Sequence, residues 1–163
     1  MRVKNVTRCI AKDAELDITG ARLLTITEAE ALLPERLFIS GYTWWLMSPI
    51  DVNDTIWCSL TRNYIYAVHE DGSIFPHICD IDFYGVRPAL KISNLRSSDL
   101  KIGDTFEFGM YRFEIISNRL AFCLDYIASM AFREDWMKPD ASDYNKSDVK
   151  KYIDDWFKRS KNK

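Results

Sequence analysis

Of the chain's 163 residues, 47% are hydrophobic and 13% aromatic, which supports a sizeable core and excludes a collagen-like, fibrous or wholly disordered chain. Its 22 Lys and Arg nearly cancel 24 Asp and Glu, so a net charge of −2 gives no overall pull toward nucleic acid or anionic lipid. No apolar run is long enough to cross a bilayer, and the start, Met1 to Val6, lacks the apolar stretch of a signal peptide.

The sequence therefore reads as cytoplasmic, with no membrane partner. Cys9, Cys58, Cys79 and Cys123 make no CxxC pair and read as reduced, mostly buried thiols.

In chain order, residues 1–40 hold a short leading segment and a helix signal. Thr27-Glu28-Ala29-Glu30 has the spacing of a capping box, and Ala29, Ala31, Leu32 and Leu33 follow before Pro34 limits the helix. Residues 41–92 read as β-rich. Tyr64 to Val68 has strand propensity, and Asp71-Gly72 predicts a hairpin turn before Ile74-Phe75. Val86 to Ile92 reads as another strand, with Pro88 favouring an edge or a bulge.

Residues 100–127 show the clearest period-two pattern. Phe106 and Phe108, then Tyr111, Phe113 and Ile115, then Leu120 to Leu124 predict a three-strand meander that pairs with the strand around 86–92. Val149, Tyr152, Ile153, Trp156 and Phe157 make one helical stripe behind Ser147 as N-cap, so a helix over 147–157 should pack across that sheet. The expectation is one α+β domain over 1–163, mostly antiparallel sheet, with a short N-terminal helix and a C-terminal amphipathic helix.

No nucleotide-binding glycine loop, HExxH or GxSxG run is present, so no catalytic residue is assigned. His69 and His77 flank the hairpin, and Asp71, Cys79, Asp80 or Asp82 could join them around a metal. Their spacing matches no zinc pattern, however, and neither a metal nor a cofactor is expected. Cys79 and His77 could form a nucleophile and base only if folding brings them together. Asp51, Asn53 and Asp54 offer hard oxygens without EF-hand spacing.

Arg87 in an apolar run reads as structural, its fork bonded to oxygens, with anion binding as the other reading. Trp44 and Trp45 point to opposite faces of a strand, which suggests one in the core and one at a surface or second layer. Trp156 reads as a buried helix residue.

Charge gives a sharper lead. Between Pro49 and Phe83 the acids Asp51, Asp54, Glu70, Asp71, Asp80 and Asp82 meet one basic residue, Arg62, with Trp57, Tyr64, Tyr66 and Phe75 interleaved. The bland reading is a solvated face over a core. The functional reading is a protein-binding surface that suits a basic partner, with Asp51, Asp54, Trp57, Tyr64, Asp80 and Asp82 as contacts.

Trp44-Trp45-Leu46-Met47-Ser48-Pro49, then Asp71-Gly72, then Gly85-Val86-Arg87-Pro88-Ala89-Leu90 resemble a bacterial and phage domain of unknown function with WWLRSP-like and GVRPAL runs. Met47 stands where that family commonly has arginine, so no role of that arginine carries over. The resemblance implies a fold distantly like C-type lectins and sulfatase-modifying factors. Family members usually open with a G-x-x-F-x-F-G-x-Y run and a later S-x-x-R-x-W-L-like helix. Here similar residues, Gly103 to Tyr111 and Ser147 to Ile153, come after the GVRPAL run. The order suggests a circular permutation, or two halves of neighbouring modules, over 24–92 and 100–157.

Three readings of function follow. The first is a non-enzymatic binding module recognising a protein through loops 50–83, in a bacterial cell or a phage-infected host. The second is a phage or mobile-element inhibitor of a host defence protein, such as a CRISPR nuclease, whose groove is basic. The third is a hydrolase-type enzyme using Cys79 and His77. Direct nucleic-acid binding is not expected.

Overall fold

Strands that alternate, as in Tyr111–Ile115, and strands buried throughout, as in Leu120–Cys123, build two five-stranded sheets, one in each of two compact units. The structure, a computed structural model, describes residues 16–32, 42–50, 63–93 and 100–161. These form β1 (Ile18–Arg22), α1 (Ile26–Leu32), β2 (Trp44–Pro49), β3 (Tyr64–Val68), β4 (Ile74–Ile78) and β5 (Gly85–Val86). They continue with β6 (Ala89–Ile92), β7 (Thr105–Phe108), β8 (Tyr111–Ile115), β9 (Leu120–Cys123), β10 (Ala128–Ser129) and α2 (Asp148–Lys161). No helix among the described residues is long and apolar enough to cross a membrane.

The first unit takes the chain up to Arg22, then Arg87–Ile127, then the residues from Ile153 on. Its sheet has the order β1-β6-β9-β8-β7, all antiparallel. The meander expected from the aromatic alternation forms, with Phe106 opposite Phe113 and Phe108 opposite Tyr111, and β9 pairs with β6. Gly109 (φ +58°) and Met110 (φ +72°) make the two-residue turn, both left-handed as a tight hairpin requires. Trp156, buried, lies with its ring 5.8 Å from Phe108 and 6.0 Å from Phe113. β1 falls in the leading segment, where no strand is expected from the pattern.

Arg87, buried in this unit, donates from Nε (3.1 Å) and Nη2 (2.9 Å) to the Cys123 carbonyl and lies 4.4 Å over the Phe122 ring. Burial lowers its pKa to about 10, which leaves it charged at neutral pH. The expected single strand from Val86 to Ile92 is corrected here. Arg87 and Pro88 break it, so Gly85–Val86 and Ala89–Ile92 enter different sheets. Pro88 sits in neither strand, because it has no N–H for a ladder, and β6 is an inner strand between β1 and β9.

The second unit comprises Leu23–Val86 and Ala128–Tyr152. Its sheet has the order β10-β5-β2-β3-β4, antiparallel except where β2 runs parallel to β5, with Trp44 beside Gly85. Trp44 and Trp45 are 1% and 0% exposed. Of the two places expected for the second tryptophan, a surface or a second layer, the surface is ruled out: β2 is the middle strand, and both rings are buried. Trp45 packs 4.9 Å from Tyr84 and 5.8 Å from Phe132, and its Nε1 donates to the Met130 carbonyl at 2.8 Å.

Helix α1 starts two residues earlier than the expected box. Thr25 Oγ1 accepts from Glu28 N, and Glu28 Oε1 accepts from Thr25 N, which makes Thr25-x-x-Glu28 the capping box rather than Thr27-x-x-Glu30. The earlier start buries Ala29 and lets Ser48 Oγ accept from Ile26 N. At α2, Ser147 is the N-cap as its position suggests: its Oγ accepts from Lys150 N at 3.0 Å.

Candidate functional site

The Asp71-Gly72 turn does what its chemistry dictates. Gly72 takes φ +88°, and Asp71 Oδ1 accepts from the Ser73 amide and hydroxyl. It sets a hairpin in which Ile65 faces His77, Ala67 faces Phe75 and Val68 faces Ile74. Phe75 and His77, two apart on β4, share a face of the strand. His69, one residue past β3, meets both rings there, 5.4 Å from Phe75 and 4.6 Å from His77 by centroid.

The two imidazoles are hydrogen-bonded. His69 Nε2 and His77 Nε2 are 2.7 Å apart, and His77 Nδ1 lies 2.9 Å from the Tyr84 hydroxyl. Burial, then the nearby His69, pushes the His77 pKa down to about 4, and burial raises that of Tyr84, so both are neutral at pH 7. Two proton arrangements satisfy this chain. Either His77 donates to Tyr84 and accepts from His69, or Tyr84 donates to His77, which donates to His69.

A continuous row of rings results. Phe75 stands edge-on to His69 and Phe83 edge-on to Tyr84, and the two phenylalanines are 53% and 68% exposed. Glu70, Asp71, Asp80 and Asp82 are exposed around them. Residues 63–86 contain no Lys or Arg. The hydrogen bond to Ser73 holds the Asp71 carboxyl below its ordinary range.

Of the contacts expected from sequence, Asp80 and Asp82 are exposed here, and Tyr64 is half-buried in β3. Asp51, Asp54 and Trp57 lie outside the described residues, as do Cys9 and Cys58. The assigned structural residues Trp44, Trp45, Arg87 and Trp156 are all buried. Phe83 and Tyr84 are not singled out by the sequence, which offers His69 and His77 only as metal ligands or, for His77, as a base, and not as partners of each other. The signal for them is faint: a dipeptide Phe83-Tyr84 and two histidines eight residues apart.

Cys79 and His77 do not form a nucleophile pair. His77 directs its nitrogens to His69 and Tyr84, whereas the fully buried Cys79 thiol donates to the Ala141 carbonyl at 3.5 Å. Burial, reinforced by Asp80, pushes the Cys79 pKa up to about 12, the wrong direction for a thiolate. Among the described residues no three or more His, Cys, Asp or Glu side chains gather as a metal-ligand group. Compared with family models, curated proteins and solved structures, the chain finds no match.

Proposed function

We propose that the chain is a protein-binding module whose β3–β4 hairpin face takes a partner with a basic surface. The observation that carries this reading is the pair of exposed rings, Phe75 and Phe83, in a segment whose Glu70, Asp71, Asp80 and Asp82 are also exposed and whose residues 63–86 include no Lys or Arg; Arg133, whose amide donates to the Cys79 carbonyl, is paired with Asp140. Large rings supply anchor area at little entropic cost, and the acids supply long-range attraction. The hydrogen-bonded rings behind them hold the anchors on a rigid base. A basic nucleic-acid enzyme, as targeted by a phage or mobile-element inhibitor, fits this charge.

The test is capture of a partner from the native host, followed by surface-based kinetics on purified components. Phe83→Ser or Phe75→Ser should speed dissociation about fivefold or more, the range of a hot-spot loss. Asp80→Asn with Asp82→Asn should instead slow association, and added salt should mimic it. Kinetics unchanged in both variants would rule this face out.

A further inference from the structure

We infer, on the basis of that reading of the hairpin face, that its basic partner is a second copy of this chain, docked by the patch where the β7–β8 turn meets the end of α2. Charge is shared unevenly between the two units. Among the described residues the first unit carries 9 Lys and Arg against 7 Asp and Glu, and the second carries 5 against 11. Each unit therefore offers the charge that the other lacks.

Sequence and packing build the patch together. The acids of α2, Asp148, Asp154 and Asp155, all precede Trp156, so residues 156–161 hold Lys158, Arg159 and Lys161 with no Asp or Glu. All three cations are exposed. Trp156 and Ser160 stand against Gly109, which sets the turn beside this end of the helix. The half-buried Phe157 ring lies 5.7 Å from that of Phe108 on β7, and Lys161 Nζ sits 5.7 Å over Phe157. Met110, next to Gly109 and 78% exposed, adds an apolar tip.

Two faces of opposite charge, each carrying exposed apolar side chains, are complementary. A methionine thioether also suits contact with aromatic rings such as Phe75 and Phe83. Cations in a last helical turn complement the helix dipole, which is reason enough for the charges alone. It does not account for Met110, whose φ of +72° is a conformation in which Gly or Asn is ordinary. A contact made by the side chain does. Phe75, Phe83 and Met110 are all exposed within one chain, so these anchors are open to a second copy. Because the two faces differ, the contact is head-to-tail: each copy gives one face and keeps the other, and assembly continues into a ring or a filament.

Sedimentation of the unaltered full-length protein should show association that grows with concentration and weakens about tenfold or more between about 20 mM and about 500 mM salt. Asp80→Lys with Asp82→Lys, and separately Lys158→Glu with Lys161→Glu, should each sediment as a monomer. An equimolar mixture of the two should give a heterodimer and nothing larger, since one intact face of each kind remains. All four positions are exposed, and amide NMR spectra check that both variants fold. Met110→Gly should weaken association about fivefold or more while the fold is kept. A protein still monomeric at roughly 1 mM in low salt would overturn the site. So would self-association unchanged by salt, by either charge reversal or by Met110→Gly, or a mixture that forms no dimer although both variants fold. Dissociation of a captured host partner that still responds to Phe83→Ser would then leave the hairpin face standing as a binding site, so the two failures are told apart. The salt arm needs no variant.

Discussion

His77 is a half-buried imidazole whose pKa is pushed from 6.5 to about 4, chiefly by burial. Between those values the unfolded chain binds more protons than the folded one, so stability falls as the pH drops through that window. It should be flat in this respect above about pH 6.5 and below about pH 4. The lowered carboxyls of Asp71, Asp125 and Asp140 act beneath 3.8, outside it. Urea melts across the window should show the slope, and His77→Gln should reduce it. Arg87 makes a different demand, because two of its donors, Nε and Nη2, share one buried carbonyl. Arg87→Met should cost about 1.5–3 kcal/mol in denaturant unfolding, the usual loss of hydrogen bonds from a charged group. Arg87→Lys should recover less than half of that, since an ammonium cannot reproduce the fork. Sequence alone exposed the acids at 70–82, because charge is additive along a chain. It could not expose the histidine pair, since a separation of eight becomes a contact only when a turn folds one strand back.

At the scale of elements, the β7–β8 turn couples backbone conformation to helix packing. A Cβ on Gly109 would stand 2.8 Å from Trp156 Cζ2 and would collide with Ser160 Oγ, at a φ of +58°. Gly109→Ala should therefore cost about 2–4 kcal/mol, from left-handed strain plus overpacking. Met110 is left-handed but 78% exposed, so Met110→Gly should be neutral to about 1 kcal/mol stabilising. Thermal melts of the two variants, moving in opposite directions, would separate turn strain from packing. Trp156→Ala should cost about 3–5 kcal/mol, and a loss below about 1 kcal/mol would count against the helix stripe as part of the core. The meander, the β3–β4 hairpin and α2 were legible because period-two and period-3.6 patterns survive without tertiary information. The α1 start was ambiguous because Thr25 and Thr27 each precede a glutamate by three residues, and only burial of Ala29 chooses between them. The break at Arg87-Pro88 was misread because Gly85 to Ile92, apolar but for Arg87 and Lys91, reads as one strand, and the run does not say which sheet each end joins.

For the whole molecule, connectivity matters more than any one contact. The chain passes between its two units after Arg22, Val86, Ile127 and Tyr152, so neither unit is a continuous piece of sequence. A cut near residue 95 strips β7, β8 and β9 from one sheet and β10 from the other. Fragments 1–95 and 96–163 should each give poorly dispersed amide NMR spectra and no cooperative melt, whereas the full chain should give both. The pairings β1 to β6 and β5 to β10 span roughly 70 and 40 residues, as Ile18 meets Ile92 and Val86 meets Ala128. Non-local pairing of this kind slows folding, since loop closure precedes any gain from contacts. Synthesis adds a direction to this delay. When β6 has just been synthesised, its partner β9 is about 30 residues from being made, and the Trp44-Trp45 strand still lacks β10 in its sheet. At the usual pace of about 5–20 residues per second, these apolar strands wait for seconds without their sheet partners, a period in which the fold does not yet protect them.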